Sequence, residues 1–354
     1  MELDTNFWKE QRVLVTGHTG FKGSWLSLYL KKIGATIAGY SLAPPTSPSL
    51  FESAGLSDIY QEDHRANICD YEQFNIVVSE FQPTVLFHMA AQALVLDSYD
   101  DPLTTFRSNV IGTANVLEAS RYCSSLKSII VVTSDKCYEV AAGSLAYTED
   151  CRLGGYDPYS NSKACAELVT QSFKSSFFND KDGAKVASVR AGNVIGGGDW
   201  AKNRLLPDCY KAFSNNQAIV LRQPNAIRPW QHVLEPVSGY IRLAKLLVED
   251  GNAFSQAWNF GPSEKDALSV KEVADISATA WGNAVVKLDV KDTKLVETDV
   301  LMLDSSKAIS HLGWQPKWSA TQAINKTMDW YKAIHNGADP RSQTEAQIDE
   351  YLYG

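Results

Sequence analysis

Short, continuous apolar runs alternate along the first half of the chain with stretches whose apolar residues recur every three or four positions. Residues 12–17 (RVLVTG), 36–42 (TIAGYSL), 83–91 (PTVLFHMAA), 128–134 (SIIVVTS) and 185–192 (KVASVRAG) are runs of the first kind. They are rich in β-branched residues and do not alternate with polar ones, as strands buried on both faces read. Residues 23–35, 71–81, 108–123 and 159–178 carry helical spacing, the first of them closed at Gly34. Strand–helix repetition at this pitch predicts βαβ units, hence an α/β fold with a doubly wound parallel sheet covered on both faces.

After residue 192 the pattern loosens. Gly and Pro rise in GNVIGGGDW and RQPNAIRPWQH, and polar, irregular loops separate the helical stretches. This predicts a second, smaller mixed α/β lobe. The expected division is a first domain over 1–192, with a return segment at 228–262 that includes WNFGP, and a lobe built from 193–227 and 263–354.

At 354 residues the chain exceeds what one core usually supports, which agrees with two lobes. A net charge of −8 argues against binding to nucleic acid or to acidic membrane surfaces, but not against a phosphorylated small ligand. The six cysteines (69, 123, 137, 151, 165 and 209) contain no C-x-x-C pair and read as reduced thiols rather than a zinc or disulfide framework. No apolar run approaches the roughly 18 residues of a membrane span, and MELDTNFWKEQ has no secretory h-region; a cytoplasmic protein is expected.

Gly17, Gly20 and Gly23 form G-x-x-G-x-x-G directly after a strand and at the opening of a helix. Such a turn lets the backbone approach a pyrophosphate, and the helix N-terminus offers N–H groups and a positive dipole, so a Rossmann-type dinucleotide site is expected. The second strand ends Tyr40-Ser41-Leu42, with neither a carboxylate for a ribose 2′-hydroxyl nor an arginine for a 2′-phosphate. NAD is the expected cofactor, with NADP not excluded. Tyr159 and Lys163 have Y-x-x-x-K spacing, which places phenol and amine on one helix face. The ammonium is expected to lower the phenol's pKa toward that of a working base. Thr133 or Ser134, at a strand end, supplies a hydroxyl for the same substrate oxygen, and Asp135 and Lys136 follow at once. His88 and His232 read as structural, with no metal site implied.

The blocks GHTGFKGSWLSLYL, HMAAQ, TSDKCY, GGYDPYSNSKACAEL, RAGNVIGGGDW and IRPWQHVLEPVSGY resemble those of CDP-glucose 4,6-dehydratases, which are extended short-chain dehydrogenase/reductases, from Trp8 to about Trp330. The resemblance implies oxidation of a nucleotide-activated hexose at C4, loss of water across C5–C6 and return of the hydride to C6, in a pathway to deoxysugars of surface polysaccharide. It implies Asp135 as the acid and Lys136 as the base, beside Ser134, Tyr159 and Lys163. Lys136 is then expected to be desolvated, since an amine serves as a base only when neutral. Cofactor contacts are implied for Gly17, Thr19, Gly20, Phe21, Lys22, Gly23, Asn67, Ala90, Ala91 and Thr133, together with Tyr159 and Lys163. Asn193 and Arg228 are implied at the substrate diphosphate, with Arg204 a further candidate and Trp230 a candidate for stacking on the base. Pairing through helices 108–123 and 159–178 makes a homodimer expected, with a homotetramer the larger alternative.

Two places depart from the family pattern. Leu96 stands where the family has an arginine, and the segment 139–147 is short and built from small residues. Both bear on which sugar is taken, so an epimerase, or a dehydratase of another nucleotide sugar, is the rival reading. A non-catalytic NAD(P)-binding sensor is a third, which the intact Tyr159, Lys163 and strand-end hydroxyl disfavour.

Overall fold

The computed structural model describes residues 5–140, 146–181, 183–282, 284–289 and 301–354. Five of its main strands are the predicted runs: β1 (Arg12–Thr16), β2 (Thr36–Ser41), β4 (Val85–His88), β5 (Ser128–Val132) and β6 (Lys185–Arg190). A sixth, β3 (Glu62–Arg65), was not anticipated. Its sequence, EDHR, carries no apolar signal because it lies at the sheet edge, where it pairs with β2 and Asp63 meets His18 Nε2 at 2.9 Å. The strand Ala257–Asn259 pairs in parallel with β6 and completes seven parallel strands, in the order Ala257–Asn259, β6, β5, β4, β1, β2, β3.

Side chains alternate across this sheet. Val13, Val15, Ile130 and Val132 join a core with Trp25 and Leu26, whereas Leu14, Ile129 and Val131 join another with Phe74 and Leu117. Burial on both faces is why these strands read as unbroken apolar runs. The helices match their spacing closely: Phe21–Lys32, Tyr71–Phe81 and Pro158–Phe177. The stretch 108–123 departs from expectation, since a π-turn over Arg107–Ile111 precedes the α-helix Gly112–Ser120.

Strand order reverses between β1 and β4, each of which pairs with the other and then leads outward in opposite directions. The crevice beyond the carboxyl ends at such a reversal is where open α/β sheets hold ligands. The predicted strands 83–91 and 185–192 stop earlier, at His88 and Arg190. Past the second of them, Ala191 and Gly192 turn out of the sheet and line a cavity there.

Beyond β6 the described residues form three two-stranded sheets, among them the antiparallel pair Ile227–Pro229 and Ala267–Ser269. The helices Leu205–Ser214, Val270–Trp281 and Ala320–His335 pack beside them. Trp200, Tyr210, Trp330 and Tyr331 interlock edge-to-face or stacked, and Gly197 leaves room for the Trp330 ring, which an added Cβ would meet at 2.1 Å.

Candidate active site

The helix Pro158–Phe177 starts cleanly. Asp157 caps it by accepting from the Ser160 N–H at 2.9 Å, and Pro158 takes the first position, where no N–H is needed. One turn apart on the same face, Tyr159 and Lys163 are both buried. The Lys163 Nζ donates to the Val132 carbonyl at the end of β5, at 3.2 Å. The chain leaves the sheet at that point, and Asp135–Cys137 forms a 3₁₀ turn. Ser134 caps this turn by accepting from the Lys136 N–H at 3.2 Å, and its hydroxyl donates to Asp135 Oδ1 at 2.9 Å. Departure from the extended pleat is what lets Ser134, Asp135 and Lys136 line one cavity with Tyr159, Asn193, Arg204, Arg228 and Trp230; its volume is about 480 Å³.

Asp135 is 6 % exposed and fits only because residue 192 is glycine, for an added Cβ there would lie 1.9 Å from Asp135 Oδ2. Lys136 is different. It is exposed at the cavity edge, so the desolvation expected for it is not found. The reason is the tightness of the 3₁₀ turn, which sends consecutive side chains in divergent directions and buries Asp135 and Cys137 while leaving Lys136 out.

The expected lowering of the Tyr159 pKa is also corrected. Burial dominates and pushes the phenol up to about 12, while its hydrogen bond with Ser134 works in the opposite direction. Lys163 does not reach the phenol as expected because its amine is turned to the Val132 carbonyl. Burial, followed by the charge of Lys22, instead lowers Lys163 to about 8. Lys22, also in the cavity wall, is lowered to about 8 by burial and by Arg204. Of the two strand-end hydroxyls, Thr133 is spoken for: its Oγ1 donates to Glu167 Oε1 at 2.5 Å. Ser134 is the one that faces the phenol.

On the substrate side, Arg204 Nη1 pairs with Asp199 Oδ2 at 2.7 Å, and Arg228 Nη1 donates to the Ile227 carbonyl at 2.7 Å. Trp230 is buried and its Nε1 donates to the Leu268 carbonyl at 3.1 Å, leaving its ring as cavity wall. Leu96, more than half exposed, sits at the rim, and of the segment 139–147 residues 141–145 lie outside the described residues. His88 bridges Thr16 at 2.8 Å and Thr113 at 3.1 Å, and His232 packs edge-on to Trp25 and Trp318, so both serve the fold.

The glycine-rich turn fits a dinucleotide. Gly17 has φ +74° and an added Cβ would lie 2.7 Å from the Ala90 nitrogen, so only glycine brings this turn against Ala90 and Ala91 after β4. A Cβ on Gly23 would lie 2.2 Å from the Gly17 carbonyl oxygen. Gly20 places no side-chain cap on the helix Phe21–Lys32, which leaves the N–H groups of its first turn, including Phe21 and Lys22, turned toward an acceptor. Thr19 Oγ1 meets Ser41 Oγ at 2.9 Å and donates to the Leu42 carbonyl at 3.0 Å, closing the end of β2. Asn67, exposed past β3, accepts from the Cys69 N–H at 2.9 Å.

A glycine-rich turn at the switch point, with a buried Tyr-x-x-x-Lys helix facing a strand-end serine, defines an extended short-chain dehydrogenase/reductase. More narrowly, the chain belongs to the nucleotide-sugar dehydratase family whose model, described as GDP-mannose 4,6 dehydratase, matches residues 14–327. CDP-glucose 4,6-dehydratase of Salmonella typhimurium is 48% identical to it over 99% of this chain and 98% of that protein. A UDP-glucose 4-epimerase of Mycoplasma pneumoniae is 25% identical over 77% of this chain and 83% of its own. Among solved structures, dTDP-glucose 4,6-dehydratase from Bacillus anthracis in complex with NAD superposes with a TM-score of 0.76 at 20% identity, covering 94% of this chain and 99% of that one. UDP-glucose 4-epimerase from Brucella ovis in complex with NAD gives 0.77 at 21%, covering 91% and 98%.

Proposed function

We propose that this chain is a nucleotide-sugar 4,6-dehydratase that converts CDP-glucose to CDP-4-keto-6-deoxyglucose with a bound NAD. The observation that carries the reading is the placing of Asp135 and Lys136 in the same cavity as Tyr159, in a chain 48% identical to a CDP-glucose 4,6-dehydratase. NAD supplies a hydride acceptor for C4 and gives the hydride back at C6. The rest falls to the protein. Tyr159 takes the proton of the C4 hydroxyl while Ser134, which faces the phenol, holds that oxygen, and Lys163 braces the end of the strand before Ser134 through the Val132 carbonyl. The ketone at C4 acidifies the C5 proton. Lys136 removes that proton and returns it to C5 when the hydride comes back to C6, and Asp135, buried and hydrogen-bonded by Ser134, protonates the departing C6 hydroxyl. A simple epimerase has no use for this second acid–base pair.

Asn193, Arg204 and Arg228 bind the diphosphate in this reading, where a guanidinium's planar fork suits phosphate oxygens. The lobe from 193–227 and 263–354 binds the sugar nucleotide, and the domain over 1–192, with its return segment 228–262, holds NAD. Exposed Ile111, Tyr122 and Leu168 lie on the stretches expected to pair, which supports a homodimer. Among the described residues no helix is long and apolar enough to cross a membrane. A nucleotide-activated substrate and free cysteines suit the cytoplasm, where the product would feed deoxysugar synthesis for surface polysaccharide. Incubating the purified protein with CDP-glucose and NAD should give a 4-keto-6-deoxy product, seen by its alkali-induced absorbance, with no net NADH. Failure on CDP-glucose combined with conversion of another nucleotide sugar would reject the substrate.

A further inference from the structure

The helix that carries Tyr159 and Lys163 has a further charged residue on the same face, Glu167, a turn beyond Lys163. Glu167 is buried, as is Arg190 at the end of β6, and the two form a bidentate pair: Nε to Oε1 at 2.9 Å and Nη2 to Oε2 at 3.0 Å. The chemistry above uses neither residue, and neither lines the cavity. Their other bonds lead back to the loop that carries Ser134, Asp135 and Lys136. Glu167 Oε1 accepts from Thr133 Oγ1 at 2.5 Å, immediately before that loop. Arg190 Nη1 donates to the Tyr138 hydroxyl at 2.6 Å, immediately after it. The same hydroxyl donates to Asn259 Oδ1 at 2.8 Å, and Ser188 Oγ donates to Glu167 Oε2 at 2.6 Å, so the pair is also tied to the neighbouring strands.

A buried ion pair is a poor device for stability, because well-packed apolar residues often do as well. Its charged, directional bonds are a good device for fixing distances. We propose that Glu167 and Arg190 are positioning residues: they clamp both ends of the catalytic loop, at Thr133 and Tyr138, to the helix that carries Tyr159 and Lys163. The clamp thereby sets the separation between the oxidation pair and the elimination pair. This rests on the proposed function for its catalytic meaning, but not for its structural content.

Thr133→Val and Tyr138→Phe each remove one end of the clamp without disturbing a charge, and Thr133→Ser keeps the donor. Amide hydrogen exchange across residues 134–138, measured on the whole protein without substrate, should speed by roughly tenfold in the first two variants and stay at the parent rate in Thr133→Ser. With CDP-glucose, kcat should fall about 10²-fold in Thr133→Val and Tyr138→Phe, the cost of a misplacement near 1 Å, with KM little changed. Thr133→Ser should retain most of the rate. Unchanged exchange at 134–138 in both variants, or an equal loss of kcat in Thr133→Ser, would overturn the clamp. Should the parent protein not convert CDP-glucose, the proposed function fails while the exchange measurement still decides the clamp.

Discussion

Substitution of Gly192 by alanine places the largest demand on the smallest atom. An ideal Cβ there would stand 1.9 Å from Asp135 Oδ2 and 2.2 Å from its Cγ, far inside van der Waals contact. The carboxyl group must move, and with 6 % exposure it can move only toward the cavity or by dragging its 3₁₀ turn. Overpacking of this kind typically costs about 1–3 kcal/mol. At ~2 cal/mol/K of unfolding entropy per residue, that is a melting-temperature loss of only about 1–4 °C for this chain. The catalytic cost is larger, since a positioned general acid is worth about 10²–10⁴-fold in rate. Stopped-flow measurement of NADH absorbance alongside product formation separates the steps. C4 oxidation should proceed, NADH should accumulate, and the keto-deoxy product should appear at least about 10²-fold more slowly. A Gly192→Ala protein that melts within a few degrees of the parent and turns over normally would refute Asp135 as the acid.

Tyr159→Phe should abolish C4 oxidation, leaving neither NADH nor product, and detectable turnover would place the base elsewhere. Lys136→Ala should permit oxidation and stall elimination, visible as trapped NADH. Gly23→Ala forces a Cβ to within 2.2 Å of the Gly17 carbonyl oxygen and should weaken NAD binding at least tenfold, about 1.4 kcal/mol, by fluorescence titration. Burial lowers His88 and His232 to about 3, so between there and the ordinary 6.5 the unfolded chain binds more protons than the folded one. Stability should therefore be fully present above pH 6.5 and be lost as pH falls toward 3, and His88→Asn should flatten the slope of urea-unfolding free energy against pH in that window.

The parts of the fold governed by burial on two faces were legible from the chain alone, because five strands had to be unbroken apolar runs and three helices had to show period 3.6. The polar edge strand Glu62–Arg65 was not, since it is held by backbone pairing to β2 and by polar contacts such as that of Asp63 with His18, neither of which calls for an apolar run. The same contrast runs through the site. Spacing put Tyr159 and Lys163 on one buried helix face and glycines at the turn after the first strand, and sequence-adjacent Asp135 and Lys136 do share a cavity. What spacing cannot express is which way a tight turn sends each side chain, and so Lys136 is exposed where a desolvated amine was expected. The balance of burial against charge at Tyr159 is likewise a three-dimensional quantity. Gly192 and Arg190 were missed for a related reason: each matters through a residue distant in the chain, Asp135 and Glu167 respectively. Glu167 did carry a signal, since it continues the one-turn ladder from Tyr159 through Lys163.

Turnover of CDP-glucose deuterated at C4 tests the central claim most directly, that one cavity both removes the hydride from C4 and returns it to C6. NMR of the product should find the deuterium at C6, with no net NADH formed. Deuterium retained at C4, lost to water, or collected in stoichiometric NADH would contradict it.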